Sequence, residues 1–166
     1  MKNLRVMFLA LVAAALLAPA GAWATSVTAS MPVTATVTPY ATINVTPLDF
    51  GSFRDAHQST ATVTVNVSSG ASYHISMDAG QHHDNTGRKM VDGSQDVLSY
   101  ILYQDSNQTV QWGDSDTFGT YLGGTSEAGT GTGADQTLTV YGWSGVTPGA
   151  TLAGSYSDTV TVTVSY

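Results

Sequence analysis

The stretch "GSYSDTVTVTVSY", residues 154–166, alternates cleanly over its second half. Val160, Val162, Val164 and Tyr166 share one face, and Thr159, Thr161, Thr163 and Ser165 the other. Period two is the mark of a β-strand with one buried face. Read as the last strand of the fold, it presents two hydrogen-bonding edges, and each needs a neighbour. A second alternating stretch lies near the other end of the chain. In "SVTASMPVTATV", residues 26–37, Val27, Ala29, Met31, Val33, Ala35 and Val37 fall on one face. Burying the four larger of these contributes about 1.5–3 kcal/mol each, roughly 6–12 kcal/mol together. Left in water, the same segment invites aggregation. The alternation alone allows either partner, the chain's own sheet or that of another molecule. Pro32, in the middle of the segment, removes one ladder hydrogen bond and is expected to discourage strand addition before assembly.

The residues between these ends follow the same short period. "YATINV" (40–45), "TATVTVNV" (60–67), "YHISMDAG" (73–80), "VLSYILYQD" (97–105), "VQWGD" (110–114) and "QTLTVYGW" (136–143) read as strands, and "PLDFGSF" (47–53) as a short segment with Leu48 and Phe50 on one face. "VLSYILYQD" has apolar residues on both faces, as expected of a central strand covered twice. Residues 81–96 and 115–136 are polar or glycine-rich and read as loops. Seven or eight short strands separated by Gly, Asn, Asp and Pro predict an all-β sandwich in a single domain.

The N-terminus reads differently. Lys2 and Arg5 precede an apolar run from Val6 to Ala18, followed by Ala22-Trp23-Ala24. This is the layout of a secretory signal peptide, with cleavage expected after Ala24 and no membrane segment left behind. Removal of Lys2 and Arg5 leaves three of the 5 basic residues against 12 acidic ones, a formal charge of −9. Only Arg54, Arg88 and Lys89 then remain basic, a balance that excludes phosphate-backbone binding by nucleic-acid partners. The chain has no cysteine, so disulfides, thiol chemistry and cysteine-ligated metals are excluded and stability rests on packing and strand pairing.

No catalytic constellation is expected. His82-His83-Asp84, with Asp78 nearby, has metal-ligand chemistry, but adjacent residues of an extended segment point to opposite faces, and the reading is a hydrated loop with no metal and no cofactor. No G-x-S-x-G elbow presents a nucleophile, and the 123–133 glycines lack a following Lys-Ser/Thr. Asp49, Asp78, Asp105 and Asp158 lie at strand ends where Asp commonly closes a turn, and Asp158 is expected to bond local backbone. Trp112, Trp143 and the tyrosines are expected in the core and in cross-strand pairs rather than in a sugar-binding surface.

In order along the chain, "PLDFG", "YHISMDAG", "RKM", "LSYILYQD", "QWGD", "LTVYG" and above all "GSYSDTVTVTVSY" resemble the spore coat U domain family, over nearly all of the chain after residue 24. That family includes subunits of archaic chaperone–usher pili and proteins of a bacterial spore coat. The resemblance implies an incomplete immunoglobulin-like sandwich (a pilin fold) lacking its last strand and carrying an N-terminal donor strand. The expected layout is a signal peptide at 1–24, a donor extension at 25–38 and the spore coat U-type domain at 39–166. Carried over by position, the donor is Val27, Ala29, Met31, Val33, Ala35 and Val37. The acceptor groove is flanked by the final strand, with Val160, Val162, Val164 and Tyr166 facing the core. A periplasmic chaperone, an outer-membrane usher and self or sister subunits are the implied partners. The implied function is a structural subunit of an exported surface fibre, supporting adhesion or biofilm formation, with a coat protein or a tip adhesin as alternatives. Many members carry two cysteines where this chain has Ala41 and Val67, so the stabilisation of a disulfide, typically about 2–4 kcal/mol, is absent.

Overall fold

A computed structural model describes residues 25–114, 124–146 and 150–166. The expected signal peptide at 1–24 lies outside the described residues, as do 115–123 of one expected loop and the turn at Pro148-Gly149. The chain divides into two units, residues 1–36 and 37–166. Of the first unit, residues 25–36 hold no strand and all are exposed. Val27 is 96%, Met31 83% and Val33 82% exposed, so the apolar face of this segment is unburied.

The second unit is all β, with no helix among its described residues. Its strands are β1 (Ala41–Val45), β2 (His57–Val67), β3 (Ser72–Met77), β4 (His83–Asp84), β5 (Gly87–Val91), β6 (Val97–Tyr103), β7 (Glu127–Thr130), β8 (Asp135–Ser144) and β9 (Val162–Ser165). They form a six-stranded sheet in the order β1-β2-β8-β6-β5-β4 and a three-stranded sheet in the order β7-β3-β9. Every strand pair is antiparallel. The register follows the alternation: β2 turns Ala61, Val63, Val65 and Val67 inward, and β3 turns Tyr73, Ile75 and Met77 inward to meet them. Tyr100 and Leu102 of β6, Val140 of β8, Phe50 and Trp112 complete the core between the sheets. Ala41 and Val67, the positions where many relatives carry cysteines, are direct partners in the β1–β2 register.

Five segments differ from the sequence expectation, and the first is "VQWGD" (110–114), which is no strand, only Gln111 and Trp112 making isolated bridges to Tyr103 and Thr125. Residues 81–96 are not one loop, because β4 and β5 form a hairpin there. β5 escapes a hydrophobic reading because the more deeply buried of its two inward residues, Arg88 and Met90, is charged. The described part of 115–136 contains β7, a strand without large apolar residues because Gly129 lies beneath the Tyr73 ring, where a Cβ would come within 2.3 Å of a ring carbon. β6 is buried on one face only. Leu98, Tyr100 and Leu102 point inward, while Val97 and Ser99 are exposed and Ile101 and Tyr103 are half-buried opposite Trp143 and Tyr141. Finally, residues 154–161 continue the line of the last strand, but only Val162–Ser165 pair as β9.

Candidate functional site

Both β1 and β9 are edge strands of their sheets among the described residues. Beyond Val45 on one side and Val162 on the other, the sheets are separated by a cavity of about 840 Å³. One lip is Val45–Phe53, and the other is Thr151–Val160 with Val162. The floor consists of core side chains, among them Ala61, Met77, Leu98, Tyr100, Leu102 and Val140. The groove is thus floored by apolar side chains that are themselves largely buried, and walled by two segments without regular pairing.

The C-terminal lip also offers backbone. Thr159 and Thr161 accept hydrogen bonds from the Gln81 and Asp78 N–H groups at 3.0 Å each. Successive peptide groups of an extended chain point to opposite edges. The peptide groups of Val160 and Val162 accordingly project away from β3, toward the groove side. Apolar floor and polar rim together have the chemistry to take an extended segment: pockets for alternate side chains, and a ladder for its backbone.

Of the expected acceptor residues, Val160 and Val162 line this cavity, and Val164 packs against the core cluster beyond it. Tyr166, expected to face the core, is instead 57% exposed and follows the last paired residue, Ser165. The structure brings none of the expected donor residues into a strand. Sequence reasoning missed most of the two lips, because Leu48, Phe50, Leu152 and Tyr156 lie in segments without regular pairing. The available signal was the place of Leu48 and Phe50 inside "PLDF" and of Tyr156 inside "GSYSD"; Leu152 lies outside both.

Polar side chains hold the C-terminal lip. Asp158 carries a 2% exposed side chain. It accepts the Tyr100 hydroxyl proton at Oδ2, and its Oδ1 lies 3.0 Å from the His82 N–H and 3.1 Å from His82 Nδ1. The expectation that Asp158 bonds local backbone is thus wrong; its partners are distant in sequence. Gly80, at φ +83°, leaves room for this carboxylate, since a Cβ there would sit 2.0 Å from Asp158 Oδ2. Next to it, the buried Arg88 guanidinium donates to the carbonyls of Asp78, Met77 and Trp112 at 2.6–3.0 Å. Burial lowers the Arg88 pKa. Burial, with the Asp158 hydrogen bond, raises that of Tyr100, which stays a proton donor. Further along the lip, Tyr156 donates its hydroxyl to Asp96 Oδ2, which the Leu152 N–H also reaches at 3.2 Å. That bond to Asp96 pushes the Tyr156 pKa up to about 12.

The His82-His83-Asp84 group, weighed in the sequence as metal-type chemistry and read as a loop, is dispersed. His82 faces Asp158, while Asp84 bonds Thr86 and lies 3.6 Å from Lys89. Among the described residues no group of three His, Asp or Glu stands close enough to hold a metal ion. Asp49 and Asp105 close turns by accepting nearby N–H groups. Asp78 does more, taking the Gly80 N–H and, across the sheet, the Thr161 N–H at 2.8 Å. Burial would raise its pKa, but the bonds from Thr161 and Gly80 and the Arg88 charge prevail and lower it. A carboxylate with a depressed folded pKa contributes stability above its unfolded value, about 3.9, and loses it as pH falls through the folded pKa. The urea midpoint is therefore expected to fall as pH drops from 5 toward 2, with a shallower slope for Asp78→Asn. Parallel pH profiles of the two proteins would contradict this.

A two-sheet β-sandwich with a groove beyond the ends of its edge strands, floored by buried apolar side chains, defines the structural class. The chain belongs to the Spore Coat Protein U domain family, which it matches over residues 27–163. None of the curated proteins matches it. Among solved structures it is similar to a chain of the CsuC–CsuE chaperone–tip adhesion subunit pre-assembly complex from archaic chaperone–usher Csu pili of Acinetobacter baumannii. The identity is 21% and the TM-score 0.59, over 79% of this chain and 41% of that one. The likeness thus spans less than half the length of that chain, and it concerns the fold. Among the described residues no helix is long and apolar enough to cross a membrane.

Proposed function

We propose that the protein is a structural subunit of an exported surface fibre of the archaic chaperone–usher type, without enzymatic activity. In this reading residues 1–24 direct export, 25–38 are the donor segment and 39–166 are the acceptor domain. The segment of one copy fills the groove of the next, placing Val27, Ala29, Met31, Val33, Ala35 and Val37 on the apolar floor. Before assembly a periplasmic chaperone fills the groove, and an outer-membrane usher catalyses the exchange. The observation that carries this reading is the pairing of complements within one chain. A groove with an apolar floor, beside a strand that is an edge among the described residues, accompanies an exposed segment of strand period with six apolar residues on one face. The shared fold with a chain of a chaperone–pilus subunit complex supports it.

The absence of native cysteine makes a direct test simple. Chains carrying a cysteine in the segment, at each position from 27 to 37 in turn, are mixed with chains carrying only Thr159→Cys on the lip and then oxidised. Mixed disulfide dimers are expected at a few neighbouring positions, because a disulfide needs Cα atoms within roughly 4.4–6.8 Å. Two singly substituted chains cannot link in cis, so the absence of mixed dimers at all positions would overturn donation between copies.

A further inference from the structure

Two tyrosine–carboxylate pairs hold the C-terminal lip against the start of β6, and they are crossed. Asp96, just before β6, receives the hydroxyl of Tyr156 on the lip, whereas Tyr100 within β6 gives its hydroxyl to Asp158 on the lip. Between them lies the two-way backbone bridge of Ser157 with Val91, 3.0 Å in each direction. The pairs differ in setting. Asp158 is buried beside Arg88 and is also held by His82, whereas Tyr156 and Asp96 are half-exposed and the neighbouring Leu152 side chain is open to solvent. Water competes for the outer pair and not for the inner one, so the outer pair breaks first.

We propose that Tyr156 and Asp96 are positioning residues forming a releasable clasp on the groove's outer lip, and that Asp158–Tyr100 is the fixed anchor about which the lip swings. The inference rests on the strand-acceptor reading above. The 151–156 stretch forms one wall of the groove, so an extended segment passes between it and the Val45–Phe53 wall both on insertion and on release. The clasp is closed in the structure and, on this proposal, re-forms with the same partners once a segment is seated. It is broken only in transit. Removing it therefore lowers the barrier in both directions and leaves the equilibrium nearly unchanged. A residue that merely shaped the filled groove would alter release and affinity together.

The test uses chain 25–166 with Met31→Asp and Val33→Asp, which disable its own segment, and a fluorescent peptide of sequence SVTASMPVTATV. Association and dissociation are followed by anisotropy. Tyr156→Phe is expected to raise both rates about tenfold, the scale of one hydrogen bond to a charged group, and to change Kd less than twofold. Asp96→Ala, which also removes the acceptor of the Leu152 N–H, should raise both rates at least as much. Asp96→Asn, which keeps a carbonyl oxygen for the tyrosine, should restore most of the slow rates. Unchanged rates, or faster release matched by an equal loss of affinity, would overturn the clasp while leaving strand acceptance intact. A parent chain that takes up no peptide would instead overturn the strand-acceptor reading, and the clasp with it.

Discussion

A chain lacking residues 25–37 is expected to form no fibres while its remaining domain still accepts the missing segment as a peptide. The magnitude follows from what the segment carries. Four large apolar side chains, all exposed in the free segment, contribute roughly 6–12 kcal/mol when buried. Association consumes about 4–15 kcal/mol of that in lost translational and rotational freedom, and strand hydrogen bonds add to the gain. Each apolar contact thus decides whether the balance is favourable, and deletion removes them all. Sedimentation and electron microscopy should show a loss of assembly of at least about a thousandfold at equal concentration, equivalent to some 4 kcal/mol. A single Val33→Asp change should produce most of it, because it places a charge on the apolar floor. Unchanged fibres after the deletion would sink donation altogether. A different result would separate donation from self-complementation: a chain folded with the segment present, and unfolded at every concentration without it, would show that the segment fills its own groove.

The alternation of the chain makes most of the sandwich legible in the sequence alone. Ala61, Val63, Val65 and Val67 face the core together, as do Tyr73, Ile75 and Met77, because a side-chain period of two admits no other arrangement in a half-buried strand. Strands whose inward residues are not all apolar stayed hidden. β5 turns Arg88 inward beside a single apolar residue, Met90, and β7 turns Gly129 beneath Tyr73; neither carries an alternating apolar run. In β6 the outward Ile101 and Tyr103 mimic a second buried face, when they pair across the sheet with Trp143 and Tyr141. The groove itself was legible only at its edges. Val160 and Val162 belong to an alternating run, and Leu48 and Phe50 share a face of a short one that does not reveal a groove, but Leu152 and Tyr156 hold their places through tertiary contacts that leave no periodic trace. Asp158 is the clearest instance. Its short polar surroundings in sequence suggest a turn, and only the fold brings His82 and Tyr100 to it.

The same limit hid the residue whose loss should cost most stability. Arg88→Met is expected to destabilise the domain by about 3–5 kcal/mol, the range for removing one partner from a buried charged network. Replacing an entire buried ion network with apolar groups is often harmless, but that is not what this change does. The carbonyls of Met77, Asp78 and Trp112 would remain, three acceptors that the guanidinium now satisfies at 2.6–3.0 Å. Asp158 would remain as well, with a 2% exposed side chain and no guanidinium beside it. Methionine fills the volume of the stem and supplies no donor, so the loss is one of hydrogen bonding and charge, not packing. With a urea m-value near 2 kcal/mol/M, the midpoint should fall by about 2 M. Arg88→Lys should recover only part of this, because a single ammonium cannot span three carbonyls in the plane of a fork. A midpoint for Arg88→Met within about 0.3 M of the parent's would mean that these carbonyls find other donors, and that the domain is held by its apolar core and strand pairing alone.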